Sequence, residues 1–197
     1  KGHPSLEEAV AAVAEAGLGR ALVYPFLMSD GYFATTVLPR RLAACASTVT
    51  TSVLPPLGLD ARLPELVARA ASAAARDAGW TAAETHLLVG GHGSRLGRAS
   101  ADATRAVAAR VTELGLFRDV TTAFLEEPPH LEPALAAAKG PLVVAGFFSG
   151  EGVHGWRDVP AAIAASGLDA RYTGPIGALP EVAELIAAAA RTAPMPD

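Results

Sequence analysis

Thr85-His86-Leu87-Leu88-Val89-Gly90-Gly91-His92-Gly93-Ser94-Arg95 decides the fold. A short apolar run ends in paired glycines, then a histidine, then what looks like a helix entry. Runs of this length bounded by glycine read as buried strands. Phe147-Phe148-Ser149-Gly150-Glu151-Gly152-Val153-His154 repeats the theme, because it too ends an apolar run and delivers one imidazole. In open α/β sheets ligands bind beyond the carboxyl ends of the strands. His92 and His154 are therefore expected at one ligand-binding edge.

Outward from these stretches, strands alternate with helices. From Thr85 onward the strands are expected at Thr85–Gly90, Val120–Leu125, Pro141–Phe148 and Ala170–Thr173. The helices between and after them are expected at Ala99–Leu114, Leu131–Ala138, Val159–Ser166 and Pro180–Ala190. Alternation at these lengths implies a parallel sheet with helices on its faces. Asp158 and Pro160 stand where a helix start wants a cap and a fixed φ. Glu181 and Glu184 suit the positive end of the last helix.

The chain also repeats itself. Tyr24-Pro25-Phe26-Leu27-Met28-Ser29-Asp30-Gly31 parallels Ala145-Gly146-Phe147-Phe148-Ser149-Gly150-Glu151-Gly152, and Pro56-Leu57-Gly58 parallels Pro175-Ile176-Gly177. The first copy starts part-way through the unit. It is expected to hold helix Leu6–Ala16, strand Ala21–Phe26, helix Val37–Ala46, strand Thr48–Leu54 and helix Leu63–Ala78. Its opening strand-helix-strand is missing, which favours a longer natural N-terminus over a degenerate copy. The expected division is 1–80 and 85–197, with Asp77–Glu84 as linker. His154 falls opposite Phe33, which can neither take a proton nor bind a metal ion.

Composition narrows the chemistry. The chain has 197 residues, 18% charged, with a net charge of −4 and a mean hydropathy of +0.30. No basic block exists to displace phosphate counterions, so nucleic acid is not the expected partner. Glycine, proline or charge interrupts every candidate for an apolar run of about 18 residues, so no membrane helix is expected. Cys45 is the single cysteine, which excludes disulfides and cysteine-rich metal sites within one chain. No signal-peptide pattern opens the sequence, and the cytoplasm is the expected location.

Around the two histidines, Gly90, Gly91 and Gly93 allow close backbone approach. Glu126 and Glu127 end the second strand of the unit. They could deliver a metal ion or take a proton, or form a solvated pair before Pro128-Pro129. Glu151 is a weaker candidate of the same kind. Arg95, Arg98 and Arg157 flank the histidine loops, and either pair with substrate carboxylates or solvate helix starts. Trp80 reads as packing, and Trp156 as packing or as a wall for a flat ligand. The dinucleotide fingerprint, the nucleophile elbow and the phosphate loop are all absent.

Four motifs in order carry a resemblance: Leu87–Arg95, Ala123-Phe124-Leu125-Glu126, Phe147-Phe148 through Gly152-Val153-His154, and Gly174-Pro175-Ile176-Gly177. Together they resemble the sirohydrochlorin chelatases, class II cobalt and iron chelatases of the cobalamin and sirohaem pathways. Residues 85–197 resemble a whole small-form member, and the two-copy layout resembles the long forms. The resemblance implies an α/β fold of two similar parallel-sheet chelatase-like halves related by internal duplication, the first incomplete at its N-terminus. It implies that His92 and His154 are the metal-handling and proton-accepting pair, with Glu126 as accessory acid. Gly93, Ser94 and Arg95 would lie near the macrocycle carboxylates. The metal, Co²⁺ or Fe²⁺, would be a substrate alongside a sirohydrochlorin-type tetrapyrrole, with no permanently bound cofactor. Further domains upstream of Lys1 are compatible with this layout.

Two other classes fit parts of the pattern. One is a non-catalytic metal- or tetrapyrrole-binding module of a larger protein, which the incomplete first copy favours. The other is a phosphohistidine phosphatase. Gly91 stands where the arginine before such a phosphatase's histidine belongs.

Overall fold

A computed structural model describes residues 3–45, 48–150 and 152–194. The chain opens with helix α1 (Leu6–Glu15), started by a capping box in which Ser5 and Glu8 satisfy each other's backbone N–H groups. Strand β1 (Arg20–Val23) follows, then helix α2 (Leu38–Ala44) and strand β2 (Thr50–Val53), parallel to β1. Helix α3 (Leu63–Asp77) leads through a 3₁₀ turn at Ala82–Glu84 into β3 (His86–Gly91). From there the order is α4 (Ala99–Glu113), β4 (Asp119–Phe124), α5 (Leu131–Ala137), β5 (Leu142–Gly146), α6 (Val159–Ser166), β6 (Ala170–Pro175) and α7 (Val182–Thr192).

Strands β3 to β6 form one parallel sheet in the order β4-β3-β5-β6. Strands β3 and β5 are buried almost throughout, as expected where helices cover both faces of a parallel sheet. Their side chains alternate between two cores. Leu87, Val89, Val143 and Ala145 meet α3 and α4 on one face. Leu88, Leu142 and Val144 meet α5 and α6 on the other, with Leu131, Leu135 and Val159. Helix α3 directs Leu63, Leu66, Val67, Ala71 and Ala75 into the first of these cores. A helix from the first part of the sequence thus roofs the sheet of the second.

The expected elements form in the expected order, with local differences at their ends. The strand expected at Ala21–Phe26 stops at Val23, because Pro25 has no N–H for a ladder. The strand expected to reach Phe148 stops at Gly146, where the Phe148 N–H turns back to the Gly146 carbonyl at 2.8 Å. The last helix starts at Val182 rather than Pro180. The helix expected over Val37–Ala46, whose last residue lies outside the described residues, is preceded by a π-helical turn at Phe33–Val37. A second such turn, His154–Asp158, precedes α6.

These two turns sit at matching places, and so do two close glycine contacts. Gly58 N–H donates to the Leu27 carbonyl at 3.0 Å, and Gly177 N–H to the Phe148 carbonyl at 2.9 Å.

His86 begins β3 largely buried, with its side chain 12% exposed and Nε2 2.6 Å from Thr121 Oγ1. Burial pushes its pKa below the usual histidine range, partly opposed by Asp119. The unfolded chain therefore takes up a proton at a higher pH than the folded one. The stability tied to neutral His86 is complete above the unfolded value of about 6.5, and is lost as pH falls below it toward the lowered folded value. His86→Gln, which keeps a polar partner for Thr121, is expected to lose less Tm than the wild type between about pH 8 and about pH 5. Equal losses would show that His86 is not a source of acid sensitivity.

Candidate active site

Strand β3 is followed in sequence by β4 on one side of it and by β5 on the other. The loops leaving the carboxyl ends of β3 and β5 therefore part in opposite directions and leave a crevice, the usual ligand position in an open sheet. His92 leaves β3 and His154 leaves β5 by way of the second π-turn. The two rings meet edge to face, with centres 4.7 Å apart and planes at 83°.

Each ring is held by its Nδ1. His92 Nδ1 lies 2.9 Å from the Gly93 carbonyl, and His154 Nδ1 lies 2.8 Å from Asp158 Oδ2. Carbonyl and carboxylate oxygens only accept hydrogen bonds, so Nδ1 carries the proton in both rings and each neutral ring keeps its lone pair on Nε2. With metal–nitrogen bonds of about 2.1 Å, two imidazoles on adjacent positions of one ion have centres roughly 4.6 Å apart at a right angle and roughly 5.3 Å apart in a tetrahedron. The observed 4.7 Å lies near the right-angle value.

Glycines allow this packing. Gly93 has φ +71°, and a Cβ there would lie 2.8 Å from Glu127 Cγ and 3.0 Å from Phe124 Cβ. A Cβ on Gly91 would lie 2.4 Å from the hydroxyl of Thr104, a buried residue of α4. Across the crevice, a Cβ on Gly155 would lie 2.6 Å from Pro175 Cγ, and the Gly155 carbonyl accepts from Tyr172 Oη at 2.8 Å. The π-turn carrying His154 is thereby pinned to β6. Burial raises the pKa of the Tyr172 phenol, which keeps it a donor.

The crevice opens into a cleft of two joined lobes, about 500 and 760 Å³. His92 borders both lobes, and His154 borders the first. Phe147 and Phe148 form a buried floor, and Tyr32 and Phe33 stand exposed at the mouth. Gly93, Ser94 and Arg98 line the second lobe.

The other expected site residues divide. Glu126 is tied to the His92 loop through its backbone, its N–H donating to the His92 carbonyl at 2.9 Å. Its carboxylate faces Arg95, with Oε2 3.6 Å from Nε. Glu127 Oε1 turns to Arg105 at 3.4 Å. Among the described residues no three His, Cys, Asp or Glu side chains converge on a metal position, so Glu126 does not join the two imidazoles in one ligand set. Glu151 lies outside the described residues. Trp156 is exposed and borders neither lobe, whereas Trp80 packs against the core as expected.

Asp158 was expected to cap α6 and does not. It makes no cap hydrogen bond and instead accepts from His154 and from Arg157 Nε at 3.1 Å. Arg157 and then His154 hold its carboxyl below the usual range. The signal was present in the sequence as a histidine and an acid four residues apart.

The family model of CbiX matches residues 1–74 and again 86–193. The chain belongs to the CbiX family. A probable sirohydrochlorin cobaltochelatase of Halobacterium salinarum is 26% identical over 202 residues, spanning 83% of this chain and 68% of its own length. A solved structure of CbiX, described as the terminal enzyme for biosynthesis of siroheme in denitrifying bacteria, has a TM-score of 0.81 and 33% identity. It spans 89% of this chain and 76% of that one. The sirohydrochlorin chelatase SirB of Bacillus subtilis subspecies spizizenii, solved with cobalt, has a TM-score of 0.74 at 18% identity, over 97% of this chain and 76% of its own. That last likeness extends to the fold alone. The family expected from four short motifs is the family found. No helix among the described residues is long and apolar enough to cross a membrane.

Proposed function

We propose that this CbiX-family protein is a sirohydrochlorin chelatase, a lyase-type enzyme that inserts Co²⁺ or Fe²⁺ into sirohydrochlorin during cobalamin or sirohaem synthesis. The observation that carries this reading is the His92–His154 pair, with both Nδ1 atoms engaged and both Nε2 lone pairs left for a metal ion. In the proposed reaction the two imidazoles receive the divalent ion and accept the pyrrole protons that the ring releases as it takes the metal. Two imidazoles without a third converging protein ligand bind the ion loosely enough for the macrocycle to win it.

The ring enters the cleft over Phe147 and Phe148, with Tyr32 and Phe33 against its outer face. Gly93 and Ser94 offer backbone close to the ring, and Arg95 and Arg98 reach its carboxylates. Glu126 keeps Arg95 oriented and serves as accessory acid at the rim. The matched π-turns and glycine contacts support a division into two duplicated halves, 1–80 and 85–197, of which only the second retains a metal-handling histidine at its π-turn.

Anaerobic absorbance spectra of sirohydrochlorin with Co²⁺, recorded with and without the protein, test the reading. A protein-dependent rise of the metallated spectrum above the spontaneous rate is expected, with Fe²⁺ compared next. Ligand binding without acceleration would replace the enzyme by a binding module.

A further inference from the structure

The proposed insertion chemistry leaves the single acid of the π-turn unused. Asp158 lies four residues past His154, so the two side chains stand on one side of the turn. Its carboxylate is two-thirds buried, and both of its oxygens are engaged, Oδ2 by His154 and Oδ1 by Arg157. It caps nothing. We propose that Asp158 is the positioning residue for His154: it accepts the Nδ1 proton, fixes the plane of the ring, and leaves Nε2 as the lone pair presented to the incoming ion.

Rings that bind metals generally use their second nitrogen in this way, because an acceptor there sets both tautomer and orientation. The two histidines solve the problem differently. His92 borrows the neighbouring Gly93 carbonyl, whose place is set by the left-handed glycine, whereas His154 depends on a side chain.

The first π-turn provides an internal comparison. Its flanking residues have almost the same backbone: Tyr32 at φ −49°, ψ −39° against Val153 at −48°, −42°, and Leu38 at −60°, −51° against Val159 at −65°, −50°. The first and fifth positions of that turn are Phe33 and Val37 in place of His154 and Asp158. Imidazole and carboxylate are thus missing together, while the winding that would join them is kept.

The proposal rests on the reading of His154 as a metal-handling group, but its first readout does not require turnover. In ¹⁵N-labelled protein at about pH 9, where free imidazoles are neutral, His154 is expected as the Nδ1–H tautomer alone. Asp158→Leu is expected to give a mixture of tautomers. It should also weaken Co²⁺ binding, measured by calorimetry, about 10- to 100-fold. The KM for sirohydrochlorin should stay unchanged while kcat falls. Asp158→Asn, which keeps an acceptor oxygen, should recover part of both losses.

A single Nδ1–H tautomer and unaltered Co²⁺ affinity in folded Asp158→Leu would overturn the proposal. Should that variant not fold, Phe33→His and Phe33→His/Val37→Asp decide instead. The imidazole introduced at position 33 should adopt one tautomer only in the double variant, and the same mixture in both would overturn the proposal. An intact His154 tautomer in a protein that accelerates no metal insertion would count against the chelatase reading alone.

Discussion

Replacing His154 by alanine is expected to slow metal insertion at least about 100-fold, the lower range for loss of a positioned proton acceptor. The far-UV spectrum and Tm should stay close to wild type. The side chain is 44% exposed, so truncation opens no sealed cavity, and the turn beneath it remains pinned through Gly155 and Tyr172. His92→Ala should behave alike, since the ring is exposed and lies beyond the last strand residue. The two rings are expected to act as a unit on one ion. The double variant should therefore be little worse than either single one, as is usual for groups that share one step. Insertion rates within twofold of wild type in either single variant would remove the pair from the mechanism.

The largest effects on stability are expected at Gly177 and Gly58. A Cβ at Gly177 would lie 2.2 Å from the Ser149 carbonyl oxygen and 2.5 Å from its carbon. Both are backbone atoms that cannot swing aside. Overpacking of this kind costs roughly 3 kcal/mol or more, equivalent to a fall in Tm of roughly 6–12 °C for a chain of this size. Gly58→Ala should cost as much, because its Cβ would lie 2.0 Å from the Met28 carbonyl oxygen. Gly97→Ala is the control, since nothing lies within 4 Å of the added carbon. Thermal melts of the three variants check the ranking. A Gly177→Ala melt matching that of Gly97→Ala would mean that the loop carrying Ser149 yields easily.

Much of this was legible in the sequence. Leu87-Leu88-Val89 declared a buried strand, and the glycines after it declared a close approach. The repeat of Pro56-Leu57-Gly58 as Pro175-Ile176-Gly177 marked the very glycines that meet backbone across each loop. The site was harder. The two histidines could be placed at one sheet edge from topology alone, but whether Glu126 would join them depended on where its carboxylate pointed. It points to Arg95, a surface pairing that no periodicity records. Asp158 was visible but misread: an acid just before Pro160 resembles a cap. The histidine four residues earlier was the competing partner, and the π-winding of this turn brings Asp158 to it instead. That winding leaves no clear trace in composition, because Phe33-Ala34-Thr35-Thr36-Val37 and His154-Gly155-Trp156-Arg157-Asp158 adopt it with unlike residues.

Helix α3 has a consequence for motion. It leaves the first half of the sequence and inserts Leu63, Leu66, Val67, Ala71 and Ala75 into the core beneath β3 and β5. A clamshell opening about the Asp77–Glu84 connection would have to tear that helix out of the core. Heat should therefore melt the chain in a single cooperative transition.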